Sequence, residues 1–160
     1  MTPLGCDSIH YLSGNASQIS DGAAAVVLAR RSVAQRLGLP IVGKYVAAAV
    51  VGVPPRIMGV GPAYAIPKVL EKTGLSKDDV DFYEINEAFA SQAVYSVDRI
   101  GIPYGKVNVN GGAIAFGHPL GCSTSLSLSL SPPTLSHSFC HNCSWSTANC
   151  YWLEHRQAEE

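Results

Sequence analysis

Apolar runs of strand length alternate with helix-like stretches from residue 22 to residue 121, and this alternation restricts the chain more than any other feature of its sequence. Gly22-Ala-Ala-Ala-Val-Val-Leu-Ala29 is a short apolar run ending at Arg30 and Arg31. It reads as a strand buried on both faces, with a short buried helix as the other reading. Ser32 is placed to cap a helix through Leu37, closed by Gly38 and Pro40, and residues 41–53 resume as a β-rich segment that Pro54 and Pro55 end. A loop over Gly59-Val-Gly-Pro62 leads into a helix reaching Lys72, with Pro67 as an irregularity inside it and Thr73-Gly74 as its stop. Ser76-Lys-Asp-Asp79 caps a short turn, residues 80–85 form a strand, and Asn86 starts a helix running to Ile100. The order is βαβαβα. It predicts an α/β domain with a mainly parallel sheet flanked by helices and joined by right-handed crossovers.

Composition allows such a domain and excludes other classes. A chain of 160 residues suits one domain rather than two, and 47% hydrophobic against 14% charged residues supplies enough apolar surface for a core. Eleven Lys and Arg against twelve Asp and Glu, with no dense run of either, give no basic stripe for a nucleic acid. The longest apolar stretches, such as residues 46–53, fall well short of the ~20 residues that a membrane-spanning helix needs. Residues 1–10 carry neither a basic start nor an apolar stretch of signal-peptide type, so the reading is soluble and intracellular. Five scattered cysteines make no disulfide framework.

The texture breaks after Cys122. Ser123-Thr-Ser-Leu-Ser-Leu-Ser-Leu-Ser131 is low-complexity and is followed by Pro132-Pro133 and a mixture rich in Ser, His, Cys and Asn. With no further strand-and-helix pattern, residues 123–160 read as a disordered tail, of the kind that translation outside the proper reading frame produces. A rival reading is a zinc-binding interaction module built from Cys140, Cys143, Cys150 and His155. Its six-residue middle spacer is short for a tetrahedral site, and no metal is expected.

Chemistry concentrates at two strand ends. Asn86 stands where a buried strand passes into a helix, the place where open α/β sheets bind ligands, and it can hold a water or a carbonyl there or simply cap the helix. Glu87 suits the helix dipole in either case. The second segment, residues 108–121, has four glycines from Gly111 to Gly121, and His118 sits on a constrained turn between Gly117 and Pro119. A general base fits that setting; so does a structural histidine.

Four segments together carry a resemblance: residues 14–25, residues 51–62, Asn86-Glu-Ala-Phe-Ala90, and Gly111-Gly-Ala-Ile-Ala-Phe-Gly-His-Pro-Leu-Gly121. In order and spacing they resemble the C-terminal half of the thiolase family, in its peroxisomal 3-ketoacyl-CoA type, over residues 12–122. Residues 1–11 are unlike the family. The resemblance implies a layered thiolase-like fold, here an incomplete C-terminal half-domain. It further implies an acyltransferase that uses CoA as co-substrate with no other cofactor, a homo-oligomer in the intact family, and a peroxisomal location, although Gln157-Ala-Glu-Glu160 is no peroxisomal tripeptide.

Residue by residue, the resemblance implies that His118 deprotonates the nucleophilic cysteine and helps bind the thioester oxygen, while Asn86 holds a water that completes the oxyanion site. It places Ser17 beside the pantetheine of CoA, and Met58 and Phe89 in the lining of the acyl pocket. It also implies two cysteines that this sequence does not supply. The acyl-accepting one belongs to the N-terminal half, and the proton-shuttling one to a C-x-G motif some thirty residues beyond the G-H-P segment. Cys122, Cys140 and Cys143 lack that context. The expectation is a chain that is inactive by itself.

Overall fold

The computed structural model describes residues 14–120, residue 122, and the backbones of residues 138–142 and 148–154. Its core is built on two amphipathic helices. Helix α2, Pro62–Thr73, buries Pro62, Ala63, Ala65, Ile66, Val69 and Leu70, the spacing of a single helical face. Pro62 occupies the first turn, where its missing N–H is not needed, and Gly74 ends the helix in the left-handed region at φ 72°. Pro67 lies inside α2 on its exposed side. The helix runs through it because burying Ile66, Val69 and Leu70, at about 1.5–3 kcal/mol each, offsets the roughly 3 kcal/mol that an interior proline costs. Helix α3, Ala90–Ile100, turns Ala93, Ser96 and Val97 inward, and the buried Ser96 hydroxyl donates to the Gln92 carbonyl at 2.7 Å. The shorter α1, Arg31–Arg36, buries only Ala34.

The helices cover a four-stranded sheet made of β1, Lys44–Val51, β2, Phe82–Ile85, β3, Ser138–Asn142, and β4, Ala148–Glu154, in the order β1-β4-β3-β2. All four residues of β2 are buried. Tyr83 and Ile85 join Ile66, Val69, Val80, Val97 and Ile102 in the core, whereas Phe82 and Glu84 alternate to the other face. The Tyr83 hydroxyl donates to the Lys77 carbonyl at 2.9 Å. Before β2, Ser76 and Asp79 form the expected capped turn, with the Ser76 N–H and hydroxyl both donating to Asp79 Oδ2 at 2.8 Å.

Three expectations from the sequence are corrected. The sheet is mixed, not mainly parallel: β2 and β3 run parallel, but β1–β4 and β3–β4 are antiparallel. Disorder throughout residues 123–160 fails for β3 and β4, whose backbones fill the gap between β1 and β2. Only five residues separate β3 from β4, which allows a hairpin and not the crossover of a dozen or more residues that a parallel pair needs. The Ser/Leu run at residues 123–131 lies outside the described residues. Third, residues 22–29 form no strand; they run as irregular exposed chain, with Val27 84% and Leu28 77% accessible. A strand needs a neighbouring edge, and none of the described strands pairs with this run.

Candidate active site

The site is assembled where β2 stops. At Ile85 a side chain takes over the pairing: Asn108 Oδ1 accepts from the Ile85 N–H at 2.8 Å, and its Nδ2 donates to the Ile85 carbonyl at 2.9 Å. The Asn108 backbone N–H donates to the Tyr83 carbonyl at 2.8 Å, and the residue sits at φ 48°, a left-handed conformation that asparagine tolerates. Past Ile85 the chain stays out of helix because residues 15–17 run beside it. The Ser17 N–H donates to the Ala88 carbonyl at 3.0 Å, the Ala90 N–H donates to the Asn15 carbonyl at 2.8 Å, and Ala16 bridges Phe89. Helix α3 therefore begins at Ala90 with Phe89 in the capping position. Asn86 is not a helix cap. Its side chain is released from that task, while its carbonyl accepts from Gln92 Nε2 at 3.0 Å.

The second loop is held by the same segment. Gly117 has φ 95°, and a Cβ there would strike the Ser20 side chain, so the loop closes on residues 18–20 only with glycine at that position. The next N–H, that of His118, donates to the Gln18 carbonyl at 3.2 Å. Residues 15–18 thus tie the loop after β2 to the loop carrying the histidine. Asn86 Nδ2 lies 3.2 Å from His118 Nε2, across 32 positions of sequence. An amide NH₂ only donates, so in this arrangement Nε2 presents its lone pair and the ring proton sits on Nδ1. Burial pulls the His118 pKa below its usual value, which leaves the imidazole neutral at neutral pH.

The remaining residues singled out in the sequence divide by distance from this pair. Ser17 and Phe89, both half-buried, belong to the two extended segments that frame it. Met58 is 40% exposed on the 3₁₀ segment Pro55–Val60, which meets α3 where Gly59 lies against the Gln92 side chain, and no hydrogen bond joins it to the pair. The Cys122 thiol is free and buried, and it packs toward Gly22. The side chains of Cys140, Cys143, Cys150 and His155, the zinc alternative, lie outside the described residues. Among the described residues no three His, Cys, Asp or Glu side chains gather as a metal site.

Glu84 and Asn108 escaped the sequence reading, and Glu87, read there as an acid in the first turn of a helix, lies before α3 and not in it. Glu84 is 6% exposed, and burial, reinforced by the charge of Glu87, pushes its carboxyl up to about 7. The signal was a single acid inside the apolar run Phe-Tyr-Glu-Ile. Glu87 accepts from Asn108 Nδ2 at 2.6 Å and from the Ile114 N–H at 3.2 Å, at the start of the short helix α4, Ala113–Phe116. Nothing in the spacing of Glu87 and Asn108 announces that contact.

Residues 39–135, more than half of the chain, match the thiolase C-terminal domain. The chain belongs to the thiolase family. Over 111 residues it is 66% identical to the peroxisomal 3-ketoacyl-CoA thiolase of Saccharomyces cerevisiae, a stretch that covers 69% of this chain and 27% of that protein. The crystal structure of the dimeric peroxisomal thiolase of S. cerevisiae superposes with a TM-score of 0.84 at 50% identity, covering 89% of this chain and 37% of the other. Human mitochondrial 3-ketoacyl-CoA thiolase in complex with CoA gives 0.82 at 35% identity, over 90% and 38%. This thiolase-family chain spans about a quarter of the length of the curated relatives it matches. No described helix is long and apolar enough to cross a membrane.

Proposed function

We propose that this chain supplies the base-and-oxyanion half of a thiolase centre, one that cleaves a 3-ketoacyl-CoA with CoA to acetyl-CoA and a shortened acyl-CoA in fatty-acid β-oxidation. The observation that carries the reading is the 3.2 Å contact between Asn86 and a neutral His118 at the end of a buried strand. A thiol is only weakly ionised at neutral pH, and a neutral imidazole removes its proton so that the thiolate attacks the keto carbon. The bond between that carbon and its α-carbon then breaks, the acyl group stays on the cysteine, and the electrons pass to the thioester enolate. The His118 ring and a water held by the Asn86 amide stabilise that enolate oxygen. The proton-shuttling cysteine, which this chain does not supply, protonates the enolate to acetyl-CoA, and it then takes the proton of the CoA thiol as CoA receives the acyl group and the nucleophilic cysteine leaves.

In this reading Ser17 lies along the pantetheine, and Met58 and Phe89 line the acyl channel. CoA is a co-substrate, and no other cofactor or metal takes part. The working protein is an oligomer, and its place is the peroxisome, as the names of the relatives support. The 160 residues alone do not turn over, because they supply neither the nucleophilic cysteine of the other half nor the proton-shuttling cysteine of the C-x-G motif. In a thiolysis assay with acetoacetyl-CoA and CoA, the chain alone is expected to be inert. Complementation with the thiolase segments that carry both cysteines, the N-terminal half and the C-x-G segment, restores cleavage, and His118→Ala in this chain abolishes it again. Cleavage by the chain alone that disappears in His118→Ala overturns the inactivity, and complementation indifferent to His118 overturns the reading. A second reading, a non-catalytic association fragment, draws on the exposed Val27 and Leu28.

A further inference from the structure

The contact between Asn86 and His118 joins two loops, and hydrogen bonds of 3.2 Å on each side of the histidine do not by themselves fix a ring against an amide. One side chain bridges the two loops directly. Glu87 follows Asn86 in sequence, and its carboxylate oxygens accept from different places: Oε1 from Asn108 Nδ2 at 2.6 Å, Oε2 from the backbone N–H of Ile114 at 3.2 Å. Asn108 is itself anchored to β2 by two hydrogen bonds to Ile85, and Ile114 stands in α4, two residues before Phe116 and four before His118. Gly112 completes the arrangement, since a Cβ there would run into the Glu87 carboxylate.

We infer that Glu87 is a positioning residue: by accepting from Asn108 and Ile114 together, its carboxylate sets the loop of residues 111–120 against the end of β2 and so brings His118 Nε2 to the Asn86 amide. The chemistry asks for a carboxylate. Both partners are N–H donors, and only an acid offers two acceptor oxygens; a glutamine of the same shape turns an NH₂ toward one of them. Leaving a half-buried donor without its acceptor frees one end of the bridge. Glu87 acts through His118 and touches no reacting atom.

The inference rests on the reading of Asn86 and His118 as the working pair, but its test reads geometry and not turnover, so the two fail separately. The full chain is labelled with ¹⁵N, and the ring nitrogens of His118, assigned by their loss in His118→Gln, are followed together with the Asn86 side-chain amide in the parent, in Glu87→Gln and in Gly112→Ala. The parent shows two well-separated ring shifts, with the lone pair on Nε2. In both variants those shifts collapse toward their average and the Asn86 amide resonance moves, while the backbone amides of Ile66, Val69 and Leu70 in α2 keep their positions. Gly112→Ala leaves the charge of Glu87 intact and disturbs only its seat, so it decides the matter if Glu87→Gln does not fold. Ring and amide shifts of parental value in a folded variant, with or without a lower unfolding midpoint, overturn the inference and leave Glu87 a role in stability alone.

Discussion

Two ionisable side chains near the end of β2 respond to pH in opposite senses. His118 has a lowered folded pKa, so the native chain binds fewer protons than the unfolded one around and below 6.5. Its contribution to stability is lost as pH falls through that range. Replacing it with glutamine is expected to flatten the acid loss seen in denaturant unfolding, and an unchanged acid slope would show that the ring is not desolvated. Glu84 runs the other way. With its folded pKa raised from 4.5 to about 7, the native state holds the proton more tightly, and stability falls as pH rises between those values. Glu84→Gln removes that slope and is more stable than the parent at alkaline pH; unfolding midpoints at acid and alkaline pH check both signs. At this scale the sequence showed His118 and Asn86 through their motifs. It hid the contacts of Asn108 with Ile85 and Glu87, which join residues more than twenty positions apart, and it marked Glu84 only as a single acid in an apolar run.

Elements with their own strong local signals were legible. The apolar face of α2, its glycine stop and the capped turn at Ser76 and Asp79 all lie within one stretch of chain, and each formed where the pattern placed it. Elements that depend on distant partners were not. Residues 22–29 have strand composition but pair with none of the described strands, β3 and β4 have tail-like composition but a place between β1 and β2, and α3 begins four residues late because residues 15–17 hold Phe89 extended. The energetic weight of α2 is testable at Ile66, which is fully buried. Ile66→Ala is expected to cost about 2–5 kcal/mol, while Tyr64→Ala on the exposed side of the same helix stays within about 0.5 kcal/mol. Urea unfolding of the two variants separates them, and equal losses would place the core elsewhere.

The molecule as a whole presents a built pair of loops beside an unpartnered apolar run. Val26, Val27 and Leu28 are exposed together, and contiguous apolar surface of this kind drives association. The double variant Val27→Lys, Leu28→Lys is expected to lower the apparent mass in light scattering toward that of a single chain, with no loss of helix signal. A parent already of single-chain mass, or a mass distribution unchanged in the variant, would contradict association through this run. That surface is distinct in sequence from Asn86 and His118, so removing it leaves the contact between them in place.

The pair itself is tested most directly by a double-mutant cycle in the complemented enzyme, with acetoacetyl-CoA thiolysis measured for Asn86→Ala, His118→Ala and the two together. General acid–base help is worth about 10²–10⁴-fold, and residues that act as one unit lose it once and not twice. The double variant is therefore expected to be no slower than the weaker of the two single ones. Rate losses that multiply in full would show two independent residues and contradict a shared centre.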